Sequence, residues 1–297
     1  MTIIDTFSAL LIVTIWGFSF VAIKLGVGDM PPLMLTALRF LLSAIPIIFI
    51  LPRPKIPFKY MAGFGIMLGV CMFGLINSAI KLGMPTGLTS IIIQLQAFVT
   101  IIVSFFVFKE KPHRWQVSGA LIGFAGMGLI GISKSDGVAL LPFLLLIGAG
   151  CSWATANIIT KLATRASDKP INMFAFVAWS SLIAPLPLMV LSYFLEDHAA
   201  LAQGLSHITM NVIISTVFLA FAATIIAYGL WTRLLSRYSA VNVTPFALLV
   251  PIEGFAAGHF IYGELFDSLA IIGSFTVFCG LALSVFGAKL FDRSQIA

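Results

Sequence analysis

The sequence predicts an all-α membrane protein in which ten transmembrane helices form two inverted five-helix repeats around a central cavity. The first observation is composition, since 60% of the residues are hydrophobic, 9% are charged and the mean hydropathy is +1.09. The second is that apolar stretches fill the chain almost from end to end. The third is that parts of the first half recur in the second. Together they leave little room for a soluble domain.

The ten apolar stretches define the predicted spans. A hydrocarbon core about 30 Å thick requires roughly 20 apolar residues in a helix. In lipid, backbone polar groups find partners only if each span is helical. The spans predicted from the sequence are 5–27, 31–51, 59–82, 85–108, 114–133, 140–162, 170–194, 208–234, 239–262 and 268–290.

Basic residues between the spans predict the orientation. Most of the 17 Lys and Arg residues fall after spans 2, 4, 6, 8 and 10, whereas the opposite loops carry only Lys24, Lys81 and Lys134. Such a bias marks the cytoplasmic side of a membrane protein. Both termini are therefore predicted to be cytoplasmic. The net charge of +6 follows from this asymmetry and needs no nucleic-acid partner to explain it.

The N-terminal stretch and the cysteines have plain interpretations. The first span lacks a basic n-region and a small-residue cleavage site, so we expect it to be retained rather than removed as a signal peptide. The three cysteines, Cys71, Cys151 and Cys279, fall far apart inside spans. Their odd number and spacing predict neither a disulfide nor a metal site, and we expect no cofactor.

The second half of the chain repeats the first. Trp16 and Lys24 recur as Trp153 and Lys161 at the same separation. Four later residues also recur in order: Glu110, Gly119, Phe124 and Gly126 align with Glu264, Gly273, Phe278 and Gly280. The alignment divides the chain into residues 1–137 and 138–297. Because each half has an odd number of spans, the second copy is predicted to run through the membrane in the opposite sense.

Inverted repeats are typical of secondary transporters, which bind substrate near the midplane and rock one half against the other. A duplicated membrane receptor or assembly subunit without solute flux is the alternative from another class. ATP-driven transport and enzymatic activity are not expected, because the chain has no GxxxxGK[ST], HExxH or GxSxG pattern.

The paired Trp-x7-Lys segments, the duplication and the ten-span plan resemble the EamA branch of the drug/metabolite transporter superfamily. The resemblance covers nearly the whole chain. Several stretches carry it in detail: Met30-Pro31-Pro32-Leu33-Met34-Leu35, Leu38-Arg39-Phe40, Gly83-Met84-Pro85, Tyr228-Gly229 and Leu248-Leu249-Val250-Pro251. Glu253 departs from it, since an apolar residue is expected there.

This resemblance implies export of small amino-acid-like metabolites, of the cysteine or O-acetylserine type, across the bacterial inner membrane. It also implies that spans 5 and 10 pack at the periphery. The alternatives within transport are aromatic amino acids or cationic drugs, which the 27 Phe residues permit. Proton coupling and a monomeric or homodimeric state stay open.

Ionisable residues inside spans are costly and are functional candidates. Glu253, near the middle of span 9, is the candidate for proton coupling or for binding a substrate amine; a neutral structural Glu is the alternative. Arg39, inside span 2, either binds a substrate carboxylate or clamps span 2 to its neighbours. Pro245 and Pro251 are predicted to break span 9 close to Glu253.

Polar and aromatic stripes complete the predicted substrate site. Trp16, Phe20 and Lys24 share one face of span 1, as Trp153 and Asn157 do on span 6. Membrane-interface anchoring is the alternative for the Trp and Lys residues. Of the two glutamines of span 4, Gln94 is favoured for the cavity and Gln96 for helix packing. Further candidates are Asn77, Tyr228 and Trp231.

Overall fold

A computed structural model describes residues 2–109, 111–133, 139–228, 230–231, 234, 246–247 and 249–291. The secondary structure of these residues is helical throughout apart from turns and bends. The helices are α1 (Ile3–Asp29), α2 (Pro32–Ile48), α3 (Phe58–Phe64), α4 (Gly74–Lys81), α5 (Thr86–Ile92), α6 (Leu95–Phe108), α7 (Arg114–Gly131), α8 (Leu140–Arg165), α9 (Met173–Ser181), α10 (Pro185–Leu195), α11 (His198–Ser206), α12 (Met210–Val217), α13 (Leu249–Tyr262) and α14 (Ser268–Phe291).

Six helices in the described part of the chain are long and apolar enough to cross a membrane, or seven if a pair bent by 86° is counted as one span. The six are Ile3–Asp29, Phe58–Lys81, Thr86–Phe108, Leu140–Arg165, Met173–Leu195 and Ser268–Ala288. The segments predicted as spans 2, 5 and 9 also contain helices, namely α2, α7 and α13, but these are shorter or less apolar. The prediction of ten spans therefore stays a prediction.

Two helices contain wide π turns that the sequence does not predict. Residues Gly65–Phe73 form the first π segment, between α3 and α4, and residues Phe218–Ile226 form the second, after α12. Neither segment contains proline. Pro251 lies in the first turn of α13, where a missing N–H is tolerated, and α13 continues past it. Because α13 begins only two residues before Pro251 and Pro245 lies outside the described residues, the predicted break of span 9 stays a prediction.

Contacts between the two halves come in matched pairs. In the first half, α1 packs on α13 and on the second π segment, and its counterpart α8 packs on α6 and on the first π segment. Likewise α2 packs on α9 and α10, which occupy the corresponding place in the second half. The core of the molecule therefore lies between the halves.

The tightest pairing joins α7 to α14 through glycines. A Cβ added at Gly126 would lie 2.7 Å from the Gly273 carbonyl oxygen, and one at Gly280 would lie 2.5 Å from the Gly119 carbonyl oxygen. Gly119 meets Gly280 in the same way. The two helices thus run antiparallel. In the sequence alignment Gly119 corresponds to Gly273 and Gly126 to Gly280, so the contact is reciprocal.

Gly119→Ala is expected to lower the free energy of unfolding by about 1–3 kcal/mol, because the added Cβ meets backbone atoms that cannot move aside. The matched control is Gly128→Ala on the same helix, whose Cβ would meet nothing within 4 Å. That variant should be neutral or more stable by up to about 1 kcal/mol. Thermal unfolding in detergent measures both, and equal losses in the two variants would contradict the proposed backbone contact.

Candidate functional site

A cavity of about 450 Å³, here called the central cavity, lies between the two halves. The first half contributes residues from α1, α2, α4, α6, the first π segment and the turn at residues 93–94. The second half contributes residues from α8, α13, α14 and the second π segment. Seven of the predicted site residues line it: Trp16, Phe20, Arg39, Gln94, Trp153, Asn157 and Tyr228.

Arg39 is the only lining residue with a full charge among those that the structure describes. Its side chain is 2% exposed, its guanidinium carbon lies 3.8 Å from the centre of the Phe73 ring, and its Nη2 donates to Thr224 Oγ1 at 3.2 Å. Nη1 is buried without a hydrogen-bond partner. No carboxylate of the described chain lies within 4.0 Å of it. A buried cation with a spare donor is a binding point for an anion.

Aromatic rings form one wall of the central cavity. The Trp16 ring lies 5.3 Å from that of Tyr228 and 5.4 Å from that of Trp231, centre to centre. Trp16 Nε1 donates to the Ala223 carbonyl oxygen at 3.1 Å. Because this N–H is occupied, Trp16 offers its ring face to the cavity rather than a donor.

Three amide side chains line the cavity, of which two bond to each other and the third has no hydrogen-bond partner in the described chain. Asn157 Nδ2 donates to Gln96 Oε1 at 2.8 Å, which ties α8 to α6 across the halves. Gln94 lies at the break between α5 and α6, where its backbone N–H donates to Ile91 O in place of a regular helical bond. Its side-chain amide makes no hydrogen bond to a described residue, and it lines the cavity. Gln94 can therefore donate to a bound molecule or accept from it.

Three predicted site residues lie outside the lining of the central cavity. Lys24 Nζ is 2.8 Å from Glu264 Oε1, and Asn77, which is fully buried, donates to Thr36 Oγ1 at 2.7 Å. Glu253 packs its Cβ against Gly17 where α13 crosses α1. Each of the three thus contacts another element of the fold.

Glu264 is a residue whose role the sequence did not predict. Its side chain, 6% exposed, accepts from Lys24, from Thr86 N at 2.8 Å, from Thr86 Oγ1 at 3.0 Å and from Gly87 N at 3.0 Å. It thereby caps the N-terminus of α5, where a carboxylate is favoured. Its alignment with Glu110 in the repeat was the available signal; Glu110 itself lies outside the described residues.

A second cavity, here called the outer cavity, has a volume of about 550 Å³ and lies beyond the C-terminus of α1. The residues that lie between the linings of the two cavities along α1, α2 and α4 are here called the septum. They include Lys24, which pairs with Glu264, and Thr36 and Asn77, which pair with each other. On each of three helices, a septum residue lies along the chain between a residue that lines the central cavity and one that lines the outer cavity. Named in the order central, septum, outer, they are Ile23, Lys24 and Gly28 on α1; Arg39, Thr36 and Leu33 on α2; and Ile76, Asn77 and Ser78 on α4.

A cavity between two halves of a helical membrane protein is typical of membrane transporters. The EamA-like transporter family model matches residues 5–132 and again residues 140–286, so the chain belongs to the EamA-like transporter family. It is a transporter and not an enzyme.

Two relatives carry a more specific name. A protein of Salmonella typhimurium strain LT2 is 40% identical over 295 residues, which cover 99% of this chain and 98% of the relative. A protein of Escherichia coli strain K12 is 40% identical over 287 residues, 96% of each chain. Both are named probable amino-acid metabolite efflux pumps. A crystal structure at 18% identity shares the fold, with a TM-score of 0.66 over 98% of each chain.

Proposed function

We propose that this transporter exports small amino-acid-like metabolites that carry a carboxylate, of the cysteine or O-acetylserine type. The observation that carries the proposal is the buried Arg39 guanidinium, whose Nη1 lacks a partner at the wall of the central cavity. A carboxylate is the planar acceptor that a guanidinium binds best. The names of the two relatives support the substrate class and the direction of transport.

The remaining polar groups of the cavity suit the rest of such a substrate. Gln94 offers one free amide, and the faces of Trp16 and Trp153 accept either an apolar side chain or an amine. A cavity of about 450 Å³ is of the size that proteins use for small ligands. Glu253 lies outside the lining, so its proposed role as the amine acceptor lacks a geometric basis.

Alternating access is the proposed mechanism. The reciprocal contacts of α7 with α14, the two π segments at matching places and the two separate family matches support an inverted repeat. Halves related in this way can rock against each other around a fixed site. Opening of the septum would join the central cavity to the outer cavity, and closure at the other end would complete the cycle.

The loop charges support an orientation for this cycle. The outer cavity contains Lys81 and lies at the end of α1 that carries Lys24, on the face with few basic residues. That face is the extracytoplasmic one under the positive-inside rule. We therefore place the protein in the bacterial inner membrane with both termini cytoplasmic and the outer cavity as the exit. Proton coupling through Glu253 and downhill efflux both stay open.

The alternatives are separated by substrate charge. Aromatic amino acids fit the aromatic wall and carry the required carboxylate, so they stay as a second candidate. Cationic drugs are disfavoured, because Arg39 repels them and the described lining offers no carboxylate. A receptor or assembly subunit without solute flux has no need of two cavities aligned across a septum.

Flux in liposomes tests the proposal. Purified protein is reconstituted with labelled cysteine, O-acetylserine, phenylalanine or a cationic dye inside, with and without a pH gradient. We expect saturable flux of cysteine or O-acetylserine and none of the dye. Acceleration by the gradient would indicate proton coupling, whereas flux of the dye alone would contradict the carboxylate proposal.

A further inference from the structure

The charge of the central cavity is not balanced. Its described lining contains one guanidinium, that of Arg39, and no Asp, Glu, His or Lys. The stretch 229–248, which the structure describes only in part, contains no Asp or Glu in its sequence. Glu264 binds Lys24 and caps α5, and Glu253, whose Cβ packs against Gly17, is not among the lining residues. The site therefore carries an excess positive charge.

An excess charge in a buried site selects the net charge of the ligand. A monocarboxylate whose nitrogen is uncharged neutralises Arg39 one for one. A zwitterionic amino acid brings an ammonium group as well, which has to lose its water close to a guanidinium and without a carboxylate to receive it. The aromatic rings attract an ammonium only weakly by comparison with an ion pair.

Acylation of the nitrogen removes that ammonium and adds groups that the cavity can bind. The acyl carbonyl oxygen can accept from the Gln94 amide, which has no other partner in the described chain. A short acyl chain can pack on the faces of Trp16 and Trp153. Shape, charge and hydrogen bonding therefore favour the same modification.

We infer that the preferred cargo is a monocarboxylate with an uncharged nitrogen, such as an N-acylated amino acid, ahead of the zwitterionic amino acid. This inference rests on the proposed function, since it takes Arg39 as the carboxylate site. It adds that the amine of the metabolite is masked before export, so an N-acylating reaction is the class of step that would supply this substrate.

Serine and three of its derivatives separate the effects of the carboxylate and of the ammonium. Serine has carboxylate and ammonium, N-acetylserine has the carboxylate only, serine methyl ester has the ammonium only, and N-acetylserine methyl ester has neither. Three of the chain's 5 Trp residues, Trp16, Trp153 and Trp231, line the cavity, so tryptophan fluorescence of the purified protein reports binding. Flux of the same compounds from liposomes reports transport.

We expect N-acetylserine to bind at least tenfold more tightly than serine and to be exported, with both esters weaker still. Serine equal to or better than N-acetylserine would overturn the inference and leave the proposed carboxylate exporter standing. Tightest binding of serine methyl ester, or no saturable binding of any of the four, would overturn both. In the Arg39→Gln variant the advantage of N-acetylserine over its methyl ester should disappear, and its persistence would remove Arg39 as the cause.

Discussion

Replacing Arg39 with glutamine is expected to reduce carboxylate export on the order of 10- to 100-fold, because a hydrogen bond to a charged group contributes about 1.5–3 kcal/mol. The loss should lie mainly in substrate affinity if the contact holds the substrate throughout the cycle, and in the maximal rate if it forms only during the transition. Flux in liposomes over a range of substrate concentrations separates the two.

The fold should survive this substitution. Arg39 is buried without a carboxylate partner, so removing its charge relieves a desolvation cost rather than leaving another charge unpaired. Glutamine can still donate to Thr224, which also donates to the Leu219 carbonyl oxygen. Thermal unfolding in detergent should therefore stay close to that of the unchanged chain.

The matched control is Arg53→Gln, the same change at an exposed arginine outside the spans, where its guanidinium lies over the Phe58 ring. Export by that variant should be unchanged. Arg39→Lys should keep part of the activity, because an ammonium attracts a carboxylate but lacks the planar pair of donors. If Arg39→Gln transports at the full rate, Arg39 is a structural clamp and the carboxylate proposal fails.

Helix periodicity was enough to place many of the lining residues together. Trp16 and Phe20 share one face of α1, and Trp153 and Asn157 share one face of α8, so a correct face for each helix brings all four to the cavity. Membership in the EamA-like transporter family also followed from motifs in the chain. These features depend on short-range spacing, which a single sequence displays directly.

Partners that lie far apart in the chain could not be found in this way. Lys24 meets Glu264 across 240 residues, and Asn77 meets Thr36 across 41. The residues next to Lys24 in the sequence do not show that its ammonium is part of an ion pair, so the sequence predicts that it binds the substrate. Because Glu253 lies mid-span, the sequence predicts it in the cavity. In the structure its Cβ instead packs against α1 at Gly17, where there is no side chain to exclude it.

Irregular helix geometry also escaped sequence analysis. Proline is the expected cause of breaks, and α10 does begin at Pro185, but the π segments at 65–73 and 218–226 and the break at Gln94 contain no proline. Both π segments lie against helices that begin a half, α8 and α1 respectively, so packing between halves sets their geometry. Such packing becomes visible only in three dimensions.

Replacing Glu264 with alanine is expected to open the septum. The change leaves the N–H groups of Thr86 and Gly87 without their acceptor and removes the partner of Lys24. Each buried N–H group left without an acceptor costs about 1–3 kcal/mol, whereas Lys24, which is 34% exposed, can turn to water. We expect these contacts to hold the septum closed, so that much of this cost should shift the equilibrium towards the open state.

Lys24→Met is the informative comparison. Glu264 then keeps its three hydrogen bonds to Thr86 and Gly87 at the N-terminus of α5, so the septum should weaken by less than in the Glu264→Ala chain. Accessibility of a cysteine at Ser19, which lines the central cavity, reports the opening. The measurement uses a chain in which Cys71, Cys151 and Cys279 are replaced, with an impermeant thiol reagent added on the side of the outer cavity.

In the Glu264→Ala chain the labelling rate at position 19 should rise at least tenfold, which corresponds to about 1.4 kcal/mol. The Lys24→Met chain should show a smaller rise, because the cap of α5, and not the ion pair alone, holds the layer together. An equal rise of the labelling rate in both chains would show that the Lys24–Glu264 ion pair alone keeps the septum closed. An unchanged rate in both would show that the reagent reaches the central cavity by another route and that Lys24 and Glu264 do not form a gate.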